Sequence, residues 1–152
     1  HIAGVSSIKQ RWSSIPVLIG HGDAGKLTDP VENLSAGYGI DVKSPPADIL
    51  LHEDEELRVG EFCATVAEIP GHSVGHIVFW FATDPILVLA GDVLFREGVG
   101  RTDFSDGDFS SLATGILNKL YKLPDSTIVL PGHGEPTTIG YEKKHNPFVS
   151  LL

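Results

Sequence analysis

The stretch that decides the fold runs over residues 69–92 and reads IPGHSVGHIVFWFATDPILVLAGD. Its two apolar runs, residues 76–83 and 86–90, are separated by Asp-Pro, a pattern that predicts two strands joined by a tight turn. His72 precedes the first strand and Asp92 follows the second. A hairpin returns the chain to the sheet edge from which it started, so we expect this imidazole and this carboxylate to lie side by side.

The segments around this hairpin predict a mixed α and β protein. Apolar spacings of three to four residues predict helices, and short apolar runs bounded by Gly or Pro predict buried strands. The predicted helices cover residues 2–12, 108–122 and 139–146, and the further predicted strands cover residues 16–20, 48–51, 62–69 and 127–130. Residues 93–107 are predicted as a loop and residues 52–60 as an acidic turn. Residues 21–46 are also predicted as loop, except that Leu27 and residues 31–34 fit one short helix. This order predicts an α+β fold with helices on the sheet faces.

Length and composition limit the classes of function. A chain of 152 residues with 41% apolar residues predicts one folded domain over residues 1–152. The net charge of −9 disfavours binding to nucleic acids or anionic membranes, and no apolar run is long enough to span a bilayer. The single cysteine, Cys63, fits a reducing compartment, so we expect a cytoplasmic protein. Because the chain begins with His and contains no Met, we expect it to be a fragment.

Three candidate metal ligands share one local arrangement. His72, Asp92 and His133 each follow an apolar strand and a Gly residue. Gly allows the backbone to turn sharply as it leaves a sheet, which points the next side chain into a cleft. Imidazole and carboxylate suit zinc and also non-haem iron. The alternative is that these residues only form turns or cap helices. Of the other histidines, we expect His76 to hydrogen-bond within the site.

Five ordered blocks resemble the metallo-β-lactamase superfamily, and within it the short bacterial glyoxalase-II-like proteins. The blocks are IPGHSVGH, LAGDVLF, GVGRTDF, LPGHGEPTTIG and EKKHNPF, and their spacing matches over residues 62–148. The resemblance implies an αββα sandwich, here incomplete at its N-terminus, with a dinuclear metal site at the sandwich edge. It implies zinc, with two ions in the intact protein, and iron or manganese as alternatives.

The superfamily hallmark, His-x-His-x-Asp-His, is not intact in this chain. His1 resembles its last histidine, although a tag remnant is the alternative explanation. By the same resemblance His72 belongs to the first metal site, Asp92 bridges the two ions, and His1 and His133 belong to the second site. Two histidines and an aspartate would then lie upstream. We therefore expect the 152-residue chain to bind metal weakly or partially, and to be inactive unless those residues are supplied.

The resemblance implies hydrolysis of a small thioester or ester by a metal-bound hydroxide, with Asp92 as the catalytic carboxylate. Arg101 resembles the basic residue that contacts the carboxylates of glutathione. The alternative for Arg101 is a structural salt bridge to Asp103, Asp106 or Asp108. The glutathione-binding helical domain of full-length glyoxalase II enzymes does not follow in this sequence, which leaves glutathione specificity open.

Three rival functions stay open from the sequence. An iron-dependent persulfide dioxygenase shares the fold and a Gly-Arg-Thr-Asp-Phe loop like residues 100–104. A superfamily nuclease is disfavoured by the acidic charge. A truncated, non-catalytic member would expose a sheet edge, and an exposed edge favours a homo-oligomer.

Overall fold

The computed structural model describes residues 2–150. Contacts between residues divide the chain into two compact units, residues 1–51 and residues 52–152. The first unit contains a 3₁₀ turn at Ile2–Gly4, helix α1 (Val5–Arg11), and further 3₁₀ segments at His21–Leu27 and Ser35–Tyr38. Strands β1 (Leu18–Gly20) and β2 (Ile49–Leu51) pair in parallel within it. The helix predicted over residues 2–12 and the strands predicted over residues 16–20 and 48–51 are thus confirmed.

The second unit is built on one six-stranded sheet in the order β10-β9-β6-β5-β4-β3. Its strands are β3 (Glu56–Val59), β4 (Phe62–Glu68), β5 (Ile77–Phe81), β6 (Leu87–Gly91), β9 (Ile128–Pro131) and β10 (Thr137–Thr138). All neighbours pair antiparallel except β6 and β9, which are parallel. Parallel neighbours end at the same edge of a sheet, so β6 and β9 deliver the residues that follow them to one place.

Three short regions differ from the sequence prediction. Residues 21–46 contain 3₁₀ segments at His21–Leu27 and Ser35–Tyr38, so the short helix predicted over residue 27 and residues 31–34 is wrong. Residues 56–59 form the edge strand β3 rather than a turn, because Glu56–Val59 pairs with β4 in spite of its charged residues. The predicted loop over residues 93–107 contains a small hairpin of β7 (Leu94–Phe95) and β8 (Gly98–Val99). Strands this short carry too little apolar alternation to be detected from sequence.

Helix α2 (Phe109–Asn118) packs its apolar stripe on the sheet, with Leu112 and Ile116 fully buried. Asp108 caps it, because its carboxylate accepts hydrogen bonds from the backbone of Ser110 and Ser111. The bond from the Ser111 hydroxyl holds the pKa of Asp108 below its usual range. The amide of Asp108 also donates to the carbonyl of Gly71 over 2.8 Å. The start of α2 therefore anchors the loop that carries His72.

Helix α3 (Ile139–His145) begins directly after β10, and Ile139 belongs to the same core as α2. That core also contains apolar side chains from β4, β5, β6 and β9: Ala67, Val78, Val88, Ala90 and Val129. The helices predicted over residues 108–122 and 139–146 and the mixed α and β class are confirmed.

Candidate metal centre

The β5–β6 hairpin brings His72 and Asp92 together as the sequence predicts. Residues 77–81 and 87–91 pair antiparallel, so the two ends that flank the hairpin lie at one sheet edge. His72 Nε2 lies 3.4 Å from Asp92 Oδ2, and both side chains are largely buried. The Asp92 carboxylate is thus held close to an imidazole inside the protein.

His133 reaches the same carboxylate from the neighbouring strand. Strand β9 lies parallel to β6, and the amide of Gly132 donates to the carbonyl of Gly91 over 2.7 Å. His133 Nε2 lies 3.6 Å from Asp92 Oδ1, the oxygen that does not face His72. The two carboxylate oxygens of Asp92 therefore face one imidazole each.

All three glycines before these residues leave no room for a side chain. Gly71 and Gly91 also have φ of +132° and +50°, where a side chain is strained, so they provide the sharp turn that the sequence predicts. Gly132 has no such φ, and a Cβ at this position would lie 2.4 Å from Asp92 Oδ1. The glycine before His133 thus leaves room for the carboxylate.

A backbone carbonyl fixes the orientation of the His72 ring. His72 Nδ1 lies 2.9 Å from the carbonyl oxygen of Arg101. A carbonyl only accepts hydrogen bonds, so Nδ1 carries the proton, and Nε2 is the nitrogen that faces Asp92 and can bind a metal ion. A backbone carbonyl that holds the second nitrogen of an imidazole is typical of histidines that bind metals.

The donor atoms fit a metal ion. The lone pair of His72 Nε2 and an ionised Asp92 oxygen repel each other unless a proton or a cation lies between them. Their separation of 3.4 Å, and that of 3.6 Å for His133, are longer than an ordinary N–H···O hydrogen bond. Two ligands of one tetrahedral zinc ion, each about 2.0–2.1 Å from it, lie about 3.3 Å apart. The three donors thus match the spacing and the chemistry of a nitrogen- and oxygen-liganded metal.

Two neighbouring residues set the position of Asp92, and one of them was missed from sequence. The backbone N–H of Asp92 donates to His76 Nε2 over 3.3 Å, which is the type of bond predicted for His76. Gly100 lies against the other side of the Asp92 backbone, where a Cβ would be 1.9 Å from the Asp92 carbonyl oxygen. The only sequence signal for Gly100 is the pair of glycines in GVGR.

Arg101 lies beside the site, with its guanidinium turned to Asp103. Its Nε and one Nη donate to the two carboxylate oxygens of Asp103 over 2.6 and 2.7 Å. The guanidinium also lies 4.4 Å from the ring centre of Phe104. The hydrogen bonds from Arg101 lower the pKa of Asp103 to about 2. This geometry is the salt bridge given above as the structural alternative, and the substrate role of Arg101 stays a prediction.

Aromatic side chains flank the two histidines. The ring of Phe104 meets that of His72 edge-on at 5.7 Å, and Phe95 meets His133 edge-on at 5.9 Å. Both residues lie in blocks quoted above, but the sequence did not indicate a contact with the histidines, because a lone aromatic in a loop has no characteristic spacing. The fourth predicted ligand, His1, lies outside the described residues.

Comparison with known proteins identifies the family. The model of the metallo-β-lactamase superfamily matches residues 1–133. The chain belongs to the metallo-β-lactamase superfamily. It is 39% identical to the probable metallo-hydrolase YqgX of Bacillus subtilis over 99% of this chain and 71% of that protein. The chain spans 65% to 71% of the length of three similar curated proteins, of which YqgX is one. A shorter match, 44% identical over 98 residues, covers 64% of the chain and 46% of the hydroxyacylglutathione hydrolase GloC of Haemophilus influenzae.

Solved structures of the superfamily agree with this assignment. The BLEG-1 B3 metallo-β-lactamase superposes with a TM-score of 0.90 at 38% identity, over 98% of this chain and 71% of that one. TTHA1623 in a di-iron-bound form gives a TM-score of 0.77 at 33% identity, over 97% and 71% of the two chains. ETHE1 from Myxococcus xanthus gives a TM-score of 0.64 at 37% identity, over 68% of this chain and 47% of that one.

Within residues 2–150, no helix is both long and apolar enough to cross a membrane.

Proposed function

We propose that the whole protein is a metal-dependent hydrolase that cleaves a small thioester or related ester, with His72, Asp92 and His133 among its metal ligands. The observation that carries the proposal is the convergence of two imidazoles on the two oxygens of one buried carboxylate. It is supported by the names of two relatives, a probable metallo-hydrolase and a hydroxyacylglutathione hydrolase.

Each residue has a separate task in this proposal. When bound, a divalent ion supplies a water of lowered pKa and polarises the substrate carbonyl. Asp92 supplies negative charge to both histidine positions, because one oxygen faces each imidazole. The Arg101 carbonyl and His76 hold His72 and Asp92 in place before any ligand arrives. Such positioning spares reorganisation during the reaction.

Zinc is the proposed metal, with iron and manganese as the alternatives. Imidazole and carboxylate donors suit all three ions, so the ligand types do not decide among them. Among the structural neighbours, TTHA1623 is described in a di-iron-bound form, which supports iron as the first alternative. The proposed substrate is a small molecule, and a homo-oligomer is proposed as the state in solution.

Metal content and thioester hydrolysis of the whole protein test the proposal together. We expect purified protein to contain zinc, iron or manganese and to hydrolyse an acyl-glutathione or acyl-coenzyme A thioester. Asp92→Asn should abolish both properties. Asp41→Asn is the matched control, because it makes the same change in a side chain that is 76% exposed. Full hydrolysis by Asp92→Asn, or by metal-free protein, would contradict the proposal.

A persulfide dioxygenase is the second candidate function. It is favoured by the loop at residues 100–104, in which Arg101 and Phe104 pack on each other beside His72. In that case the iron-loaded protein should consume oxygen with glutathione persulfide, and the zinc-loaded protein should leave thioesters intact. A protein that carries out neither reaction would support the third alternative, a non-catalytic member.

A further inference from the structure

Beyond the metal ligands, one buried carboxylate links the elements that carry them. Glu142 in α3 is fully buried, although charged residues are almost never buried without partners. Its Oε1 accepts a hydrogen bond from the Thr137 hydroxyl over 2.5 Å. Its Oε2 accepts from the backbone N–H of Glu97 and from the Asn146 side chain, both over 2.9 Å. One side chain thus joins α3, β10 and the turn between β7 and β8.

The turn between β7 and β8 needs this acceptor. Glu97 has φ of +56°, an uncommon conformation for a residue with a side chain, and its amide points inward to Glu142. The amide of Asn146, itself fully buried, donates to Glu142 and also to the carbonyl of Gly98 over 3.0 Å. The turn directs the Glu97 amide and the Gly98 carbonyl into the core, where Glu142 accepts from the amide and Asn146 donates to the carbonyl. We call these two residues the turn anchor.

The outer side of the same turn is also fastened to α3. The Tyr141 hydroxyl donates to the Glu97 carboxylate, and the Arg96 guanidinium lies 4.4 Å from the centre of the Tyr141 ring. The hydrogen bond to Glu97 raises the pKa of Tyr141. These contacts are exposed, so we expect them to hold the turn less firmly than the buried bonds do.

The hairpin of β7 and β8 connects this turn directly to the metal centre. Asp92 lies two residues before β7, and Gly100 and Arg101 follow β8. The amide of Gly100 donates to the carbonyl of Val93 over 3.4 Å, which closes the open end of the hairpin. The two strands are only two residues each, so a shift of the turn is transmitted to both ends. One end carries Asp92, and the other carries the carbonyl that orients His72.

Glu142 also reaches the His133 side of the centre. Thr137 lies in β10, which pairs antiparallel with β9, and β9 ends at Pro131, two residues before His133. The bond from Thr137 to Glu142 therefore ties the strand pair behind His133 to the hairpin behind Asp92.

We propose that Glu142, with Asn146, is a positioning residue of the metal centre that holds Asp92 and the Arg101 carbonyl in place through the β7–β8 turn. The inference rests on the proposed metal-binding function. Glu142 and Asn146 belong to the EKKHNPF block. The proposal therefore gives this block a role in a site whose ligands lie earlier in the chain. Glu142 touches neither substrate nor metal in this role.

Two substitutions of Glu142 by residues of similar size separate the effect of its hydrogen bonds from the effect of its charge. Glu142→Gln keeps every hydrogen bond, because its amide oxygen can accept from Glu97 and Asn146 while its amide nitrogen donates to the Thr137 hydroxyl. Glu142→Leu fills the same space but leaves the Glu97 amide and one of the two Asn146 side-chain hydrogen bonds without an acceptor. We expect the zinc dissociation constant to rise at least about tenfold in Glu142→Leu, as for other residues that orient ligands, and to stay within about threefold in Glu142→Gln.

A control for general destabilisation comes from the same core. Ile116 is fully buried in α2 and has no bond to the turn, so Ile116→Val or Ile116→Ala can be matched to Glu142→Leu by melting temperature of the metal-free protein. The matched control should bind zinc like the wild type. Asn146→Ala, which removes only the second half of the turn anchor, replaces Glu142→Leu if the latter does not fold.

Imidazole ¹⁵N NMR of metal-free protein gives a readout that needs no metal. The wild type should show His72 protonated and hydrogen-bonded at Nδ1, and Glu142→Leu should change this signal while Glu142→Gln and the Ile116 control should not. Unchanged His72 signals and unchanged zinc affinity in a folded Glu142→Leu protein would overturn the inference and leave Glu142 a structural residue. Absence of zinc binding in the wild type would instead refute the proposed function, with the NMR comparison still deciding the role of Glu142.

Discussion

The two histidines that face Asp92 follow the same tripeptide but lie in different surroundings. Pro-Gly-His occurs at residues 70–72 and again at residues 131–133. The His72 side chain is 18% exposed and bonds to the Arg101 carbonyl, whereas the His133 side chain is 63% exposed and meets Phe95 edge-on. One local sequence therefore gives a preorganised donor in one place and an accessible donor in the other. The difference comes from the elements around each loop, since the start of α2 bonds to Gly71 and the loop after β8 bonds to the His72 ring.

Asp92→Asn should have the largest effect, because both histidines face this carboxylate. The substitution keeps the shape of the side chain and removes its charge. We expect metal affinity to fall at least about 100-fold, beyond the 10- to 100-fold typical of residues that only orient ligands. A metal-competition titration measures this loss. Asp41→Asn is the control, since the Asp41 side chain is 76% exposed, and an equal loss in both variants would contradict the role of Asp92.

Replacing His72 or His133 by alanine tests whether the two histidines differ in preorganisation. His72→Ala removes a donor and the bond to the Arg101 carbonyl, so it should lower both metal affinity and the melting temperature of the metal-free protein. His133→Ala removes an exposed donor, so it should lower affinity with a stability change within about 0.5 kcal/mol, as is usual for surface positions. Chemical denaturation and metal titration of the two variants separate these results. Equal stability losses would mean that the two sides do not differ in preorganisation.

Two glycine substitutions probe the two sides of Asp92 separately. At Gly100, on the His72 side, a Cβ would meet the backbone oxygen of Asp92 at 1.9 Å. Gly100→Ala should therefore destabilise the fold by about 1–3 kcal/mol, the usual cost of overpacking. At Gly132, on the His133 side, the Cβ would meet the Asp92 side chain at 2.4 Å, and a side chain moves more easily than backbone.

Gly132→Ala should accordingly cost less stability than Gly100→Ala but still reduce metal affinity, because the displaced atom is a proposed ligand. Melting temperature and metal affinity of both variants check this pair. Gly4→Ala is the control, because a Cβ there has no atom within 4 Å. A Gly132→Ala protein that binds metal like the wild type would show that Asp92 Oδ1 is free to move.

The smallest effect should come from Asp103, outside the ligand set. Arg101 lowers the pKa of Asp103 from 3.8 to about 2, so the pair stabilises the fold above about pH 4. This contribution should disappear as the pH falls from 4 to 2, since Asp103 is then protonated in the folded state as well. The difference in melting temperature between wild type and Asp103→Asn should follow the same window and vanish in an Arg101→Ala background. A difference independent of pH would contradict the pairing.

The long helices and strands, and the convergence of His72, Asp92 and His133, were predicted correctly from sequence patterns and family resemblance. The hairpin over residues 76–90 and helix α2 carry clear apolar periodicity, and strand ends with Gly-His or Gly-Asp mark the site. The short hairpin of β7 and β8 was missed, because its strands depend on tertiary contacts with α3 rather than on local pattern. For the same reason no local pattern indicated that the Arg101 carbonyl orients His72, and the two glycines of GVGR did not by themselves indicate that Gly100 borders Asp92.

Imidazole ¹⁵N NMR of the whole protein during a zinc titration shows directly whether the two histidines bind the metal. We expect Nε2 of both His72 and His133 to take on the shift of a metal-bound nitrogen, while Nδ1 of His72 keeps its proton and its hydrogen bond to the Arg101 carbonyl. Asp92→Asn should prevent these changes. Zinc binding that leaves both Nε2 signals unchanged, or that removes the proton from His72 Nδ1, would contradict the proposed centre.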